Sequence, residues 1–158
     1  MRHYFFDTSA FVKRYSFEPG SKLVTDLFRS AARRPESVRV VVCELVHPEA
    51  VSAISQIVHG SQPARYGLSH ASGMRTVSEI ANDFVRAKMV VVRVGGMMDR
   101  AAELVWKHHI TGADAVHLAA AIASRGFTAD RNEFYFVSSD RRQAAAAAAE
   151  GLDVISPG

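Results

Sequence analysis

The stretch Tyr4-Phe5-Phe6-Asp7-Thr8-Ser9-Ala10-Phe11-Val12 decides how this chain folds. Consecutive aromatic residues favour a strand. Apolar side chains on both of its alternating faces imply a strand buried on both sides, as in a parallel sheet covered by helices. The run stops at a carboxylate and two hydroxyls before a short helical pattern begins. In open α/β sheets, ligands are bound just past the carboxyl ends of the strands, so Asp7 stands where a site is expected. Asp is also among the best helix N-caps, and one carboxylate does not choose between the two roles.

Working outward, four further β-rich runs follow: Val38 to Val42, Met89 to Val94, Phe134 to Val137 and Leu152 to Ile155. Helical patterns separate them. Val24, Leu27 and Phe28 share one helical face, as do Ala50, Ala53, Ile54 and Ile57. Further helices are expected around Ser69 to Ala87, Asp99 to His109, Ala113 to Ser124 and Arg141 to Glu150. Alternating strands and helices predict an α/β fold with a central, mostly parallel five-stranded sheet flanked by helices. Pro35 and the segment Gly60 to Gly67 are turn-rich, but no linker-like shift in composition accompanies them, so residues 1–158 read as one domain. The run Ala144 to Ala149 has strong helix propensity and small side chains suited to close packing on a sheet.

The 158 residues are 48% hydrophobic and 22% charged, which fits a globular domain with a substantial core. The single Cys43 excludes an internal disulfide and a cysteine-based zinc cluster, and points to a small buried hydrophobe in a reducing, cytoplasmic setting. No stretch has the length of a membrane span, and Arg2, His3 and Asp7 interrupt any secretory apolar region. Lys and Arg outnumber Asp and Glu by 19 to 16, and 15 of the cations are Arg. Arg pairs bidentately with phosphate, but a net charge of +3 is slight support for a nucleic-acid partner.

Four of the 16 acids fall at element junctions. Asp7 follows the first strand. Glu49 lies in the first turn of the helix after the second strand, beside Pro48, whose missing N–H that turn tolerates. Asp114 lies in Thr111-Gly112-Ala113-Asp114-Ala115-Val116, a capping-box spacing, and Asp140 closes Phe136-Val137-Ser138-Ser139-Asp140. Each alone fits a cap or a first-turn acid. If the strands are parallel, Asp7 and Asp140 emerge on the same edge of the sheet, and helix starts following or facing that edge can add Glu49 and Asp114. Three or four carboxylates converging there repel one another unless a cation neutralises them. Hard oxygen ligands suit Mg²⁺ or Mn²⁺. Such a site polarises a phosphodiester and activates water for in-line attack, which is hydrolytic nuclease chemistry.

Other signals carry less. His47-Pro48-Glu49 has no cysteine pair to complete a zinc deaminase site. A phosphotransferase of the haloacid-dehalogenase type needs a second acid where Ser9 stands, and a receiver domain needs an acid where Val94-Gly95 stands. His108 and His109 diverge by about 100° on a helix and suit the helix C-terminus or the surface. His117 shares a face with Asp114 and suits packing or a hydrogen bond to a ligating acid. Arg141 and Arg142 suit RNA phosphate or solvent. Trp106 reads as packing on a neighbouring helix or a partner subunit.

The sequence resembles the PIN-domain ribonucleases, and within them the VapC-like toxins of type II toxin-antitoxin systems. The likeness runs from Phe5-Phe6-Asp7-Thr8-Ser9-Ala10 through Gly112-Ala113-Asp114-Ala115-Val116-His117-Leu118-Ala119-Ala120-Ala121 to Phe136-Val137-Ser138-Ser139-Asp140-Arg141-Arg142 and Glu150-Gly151-Leu152. It implies a PIN-like (Rossmann-like) sheet and Mg²⁺- or Mn²⁺-dependent endonucleolytic cleavage of RNA. It also implies homodimerisation and neutralisation by a small cognate antitoxin. By the same likeness Asp7, Glu49, Asp114 and Asp140 form the acidic, metal-binding set. Thr8 or Ser9 would orient Asp7 or a metal-bound water, and Ser138 would support the fourth acid. Glu44 competes with Glu49 for the second position. Glu49 is preferred because the helix Ala50-Val51-Ser52-Ala53-Ile54 follows it. A catalytically silent PIN-like module that binds RNA or protein is the alternative.

Overall fold

β1 (Arg2–Phe6) is the central strand of a five-stranded sheet, between β2 (Val38–Cys43) and β4 (Glu133–Val137). β3 (Val90–Val92) and β5 (Asp153–Ile155) form the edges, and every pairing is parallel. The structure is a computed structural model that describes residues 1–60, 69–86, 89–129 and 132–158. From β1 the chain moves outward through β2 to β3, then crosses to the other side of β1 for β4 and β5. The reversal places a crevice at the carboxyl ends of β1 and β4, the position at which open α/β sheets bind ligands.

α1 (Thr8–Phe11), a 3-10 turn (Val12–Arg14), α2 (Ser21–Arg33), α3 (Val46–His59) and α4 (His70–Val85) cover one face of the sheet. α5 (Met98–His108), α6 (Gly112–Gly126) and α7 (Arg141–Ala149) cover the other. The alternation of β1 distributes its aromatic rings between two cores. Tyr4 and Phe6 join Val40, Val42, Phe11, Phe28 and Ile54 on the first face, and Phe5 joins Val41, Phe136, Leu104 and Leu118 on the second. β1 is therefore buried on both sides, as its uninterrupted apolar run implies. Ala146 and Ala147 of the alanine run are buried against that second face, where a small side chain lets α7 lie close to β4 and β5.

The third and fifth strands are shorter than the apolar runs suggest. The Glu44 carboxylate accepts the Val94 N–H at 2.9 Å and pairs with Arg93 at 2.8 Å, which closes the β3 ladder before Val94. Leu152 belongs to the end of α7: its N–H reaches the Ala147 carbonyl at 3.0 Å while Gly151, at φ 81°, bonds Ala148. These two bonds are the Schellman ending that a left-handed glycine permits. Trp106 is 85% exposed and does not pack on a neighbouring helix among the described residues. His108 ends α5 and bonds Glu150 at 2.7 Å, and His109 is the left-handed C-cap at φ 53°. Apart from Gly60, the turn-rich segment Gly60 to Gly67 lies outside the described residues. No described helix is long and apolar enough to cross a membrane.

Gly20, the N-cap of α2, has φ 90°, and a Cβ there would lie 2.1 Å from the Pro157 carbonyl oxygen. Gly20→Ala is expected to destabilise the fold by about 1–3 kcal/mol. Gly95→Ala, where a Cβ meets nothing within 4 Å, should leave stability nearly unchanged. Parallel thermal melts of the two variants check the difference.

Candidate active site

Parallel register brings the first site residues to one level. Phe6 pairs with Val42 on one side and Val137 on the other, so Asp7, Cys43 and Ser138 all follow the same row of the sheet. The Asp7 N–H still bonds the Val137 carbonyl at 3.1 Å. Asp7 then turns away to cap α1, its Oδ1 accepting the Ala10 N–H at 2.8 Å.

The Asp7 side chain is enclosed by hydroxyls. Ser138 donates to Oδ2 at 2.5 Å and Ser9 lies 2.9 Å from both oxygens. Ser9 Oγ in turn accepts the N–H groups of Ser139 and Asp140 at 2.9 and 3.2 Å, and Ser138 Oγ accepts that of Asp140 at 3.1 Å. The two serines thus relay backbone donors from the β4 loop to the carboxylate. Ser138 therefore serves both acids: its Oγ holds the Asp140 main chain, and its hydroxyl hydrogen goes to Asp7, because parallel pairing of β1 and β4 sets it beside the first acid. Asp7 is only 1% exposed, and burial raises its pKa to about 6 against the opposing effect of Ser138, Ala10, His117 and Ser9.

Glu49 enters from α3. Its Oε2 accepts from Thr8 Oγ1 at 2.5 Å and from His117 Nε2 at 2.6 Å. Because an ionised carboxylate only accepts, Nε2 carries the proton, and Thr8 Oγ1, 3.2 Å away, shares it. On the other side of the ring, His117 Nδ1 lies 3.2 Å from Cys43 Sγ. Burial pushes the Glu49 carboxyl up, but hydrogen bonds from His117 and Thr8 outweigh it and hold the group below its ordinary range. Burial likewise disfavours a charged His117, yet the contacts to Cys43 and Glu49 prevail and raise it. Glu44 is engaged elsewhere, with Arg93 and Val94.

Asp114 and Asp140 sit at helix starts. Asp114 completes the α6 capping box, its Oδ2 accepting from Thr111 Oγ1 at 2.7 Å and from the Thr111 N–H at 3.3 Å. Asp140 caps α7, its Oδ1 accepting the N–H groups of Arg142 and Gln143 at 2.8 and 2.9 Å. Gln143, buried at 1%, donates to the Asp114 carbonyl at 3.1 Å and locks the two helix starts together. Cys43 and Gln143 are the contributors that sequence reasoning passed over. The signal for Gln143 was present: it is the one long polar residue on a helical face otherwise made of Ala146 and Ala147.

A common pattern links three of the acids. Glu49, Asp114 and Asp140 each commit one oxygen to protein donors, while Glu49 Oε1, Asp114 Oδ1 and Asp140 Oδ2 have no hydrogen bond among the described residues. Hydroxyl and amide relays join Asp7 to Asp140 through Ser9 and Ser138. Thr8, the neighbour of Asp7, carries the link to Glu49. Asp114 is reached only through its main chain. Among the described residues, no three Asp, Glu, His or Cys side chains form a group arranged to hold a metal ion.

The raised Asp7 pKa has a direct consequence for the metal-free protein. Its folded state holds the proton more tightly than its unfolded state, so this contribution is fully present below about pH 4 and is lost as pH rises through about 6. The gap between the ordinary value of 3.8 and about 6 corresponds to about 3 kcal/mol. Asp7→Asn keeps a good N-cap and is expected to raise stability at pH 7.5 by up to that amount, with little effect at pH 4. Denaturant titrations in chelator at both pH values measure it.

No protein-family model and no curated protein matches the sequence. Solved structures do resemble it. The crystal structure of PAE2754 from Pyrobaculum aerophilum matches with a TM-score of 0.60 and 18% identity, over 96% of this chain and 88% of its own. VapBC2 from Rickettsia felis, solved bound to a DNA fragment from its promoter, matches with a TM-score of 0.60 and 11% identity over 98% of both chains. With the five-stranded parallel sheet and its order, these likenesses establish that the chain has the PIN-like fold of VapC-type proteins.

Proposed function

We propose that this chain is a metal-dependent endoribonuclease, the toxin component of a toxin-antitoxin pair, acting in the cytoplasm as a homodimer. The observation that carries the reading is the division of labour among the acids at the strand switch point. Three carboxylates each keep one oxygen open, and the fourth, Asp7, is buried with its pKa raised to about 6. Open carboxylate oxygens suit a hard divalent cation. Mg²⁺ or Mn²⁺ takes one or two carboxylates directly and fills its remaining positions with water, so a closed three-residue cluster is not required. Asp7, Glu49, Asp114 and Asp140 are the residues assigned to hold it. The bound cation would supply charge neutralisation at the scissile phosphate and an activated water.

The chain's own groups do the rest. Ser9 and Ser138 orient Asp7, and Thr8 orients Glu49. Exposed Arg141 and Arg142 follow Asp140 at the start of α7 and have no ion-pair partner among the described residues. Cations in a first helical turn oppose the helix dipole, so their position is better explained by RNA phosphate than by helix stability. The antitoxin assignment draws on the likeness to VapBC2.

A catalytically silent PIN-like module is the second reading, and one observation favours it: no three side chains form a ready metal group among the described residues. Incubation of an RNA panel with Mg²⁺ or Mn²⁺ separates the two. Cutting by wild type, reduced about 10²–10³-fold in Asp7→Asn and in Asp140→Asn, is the expected result. Equal residual cutting by wild type and variants would leave only the silent module. Asn caps as well as Asp, so Asp140→Asn should lose cleavage with an unchanged melting temperature. Removing one phosphate contact by Arg142→Ala should make the salt dependence of RNA binding shallower by about 0.7 in log–log slope. A filter-binding series over salt concentration reads it.

A further inference from the structure

His117 is 2% exposed and belongs to α6, which with Cys43 lies on one face of the sheet, yet its ring also meets Glu49 and Thr8, whose helices cover the other face. Nδ1 lies 3.2 Å from Cys43 Sγ at the end of β2, and Nε2 lies 2.6 Å from Glu49 Oε2 on α3 and 3.2 Å from Thr8 Oγ1 on α1. The imidazole therefore bridges the two helical layers over the carboxyl edge of the sheet. It stands three residues after Asp114, one turn along the same helical face. Both donors to Glu49, His117 and Thr8, converge on Oε2, so the carboxylate plane is fixed and Oε1 is the oxygen left over.

We infer that His117 is a positioning residue. By tying α6 to α3 across the sheet edge, it sets the direction of Glu49 Oε1 and the separation of Glu49 from Asp114, and so tunes the affinity of the site for a divalent cation. This rests on the metal-dependent reading of the same site. A ring that only filled the core would need packing alone. Here every ring nitrogen is engaged, one of them with the acid assigned to the cation.

The two amide substitutions separate these roles, because a Gln amide reaches the position of Nε2 and an Asn amide only that of Nδ1. Mn²⁺ binding, followed by the loss of the free-ion paramagnetic resonance signal without RNA, is the readout, with thermal melts confirming folding. His117→Asn is expected to weaken Mn²⁺ binding about 10–100-fold, and His117→Gln to stay much closer to wild type. In a Glu49→Gln background the Asn substitution should cost nothing further. Equal effects of Asn and Gln, or an Asn effect that persists without the Glu49 carboxylate, overturn the inference and leave the nuclease reading standing. A wild-type protein that binds no Mn²⁺ removes both. Should His117→Asn fail to fold, His117→Leu, which fills the buried position without a donor to Glu49, takes its place in the same cycle, and a loss that persists in the Glu49→Gln background overturns the inference.

Discussion

Everything at the carboxyl edge of this sheet is arranged around a carboxylate withdrawn from water. An unpaired buried charge is costly, and among the described residues no Lys or Arg is hydrogen-bonded to Asp7, with His117 the one nearby group whose charge favours its ionisation. Dipoles stand in for a counter-ion: the Ala10 N–H, two serine hydroxyls and, behind those hydroxyls, the N–H groups of Ser139 and Asp140. This binds the start of α1 to the loop after β4 and thereby to the start of α7. The same bonds only partly offset the burial, so a cation arriving near Asp7 meets a group whose ionisation it would relieve.

The other acids follow a different logic. Each is stabilised by a local donor set that also builds the fold: a capping box for Asp114, two N-cap bonds for Asp140, a Thr and a His for Glu49. The structural duty and the ligand duty proposed for these acids therefore need not compete, since the structural bonds leave a second oxygen of each carboxylate open. Asn or Gln can retain the structural oxygen and lose the charge, so conservative substitution at these positions separates folding from the proposed chemistry.

Much of the fold is legible in the chain because local and global preferences agree. Aromatic and β-branched runs mark the strands, Thr111 and Asp114 mark a helix start, and the parallel sheet follows from alternation. Strand ends are less legible, since Glu44 and the Gly151 turn stop the third and fifth ladders through bonds that no propensity encodes. Of the site, the junction acids are visible as sequence, and so are Ser9 beside Asp7 and a hydrogen-bonding role for His117, while the long-range partners of these supports are not. Ser138 sits two residues from Asp140 and serves Asp7, 131 residues away. His117 finds Cys43 and Glu49 at separations of 74 and 68 residues. Such pairings depend on strand register and helix docking, which periodicity alone does not carry.

The shared row Phe6, Val42 and Val137 also constrains how this chain can vary in length. Adding or deleting one residue inside β4 would move Ser138 by about 3.3 Å and turn its hydroxyl to the opposite face, stranding Asp7 without its closest donor. The same change in a surface connection costs little. Length differences between this chain and its structural neighbours should therefore collect in connections and leave the three central strands uniform, making indel position a ruler for the site.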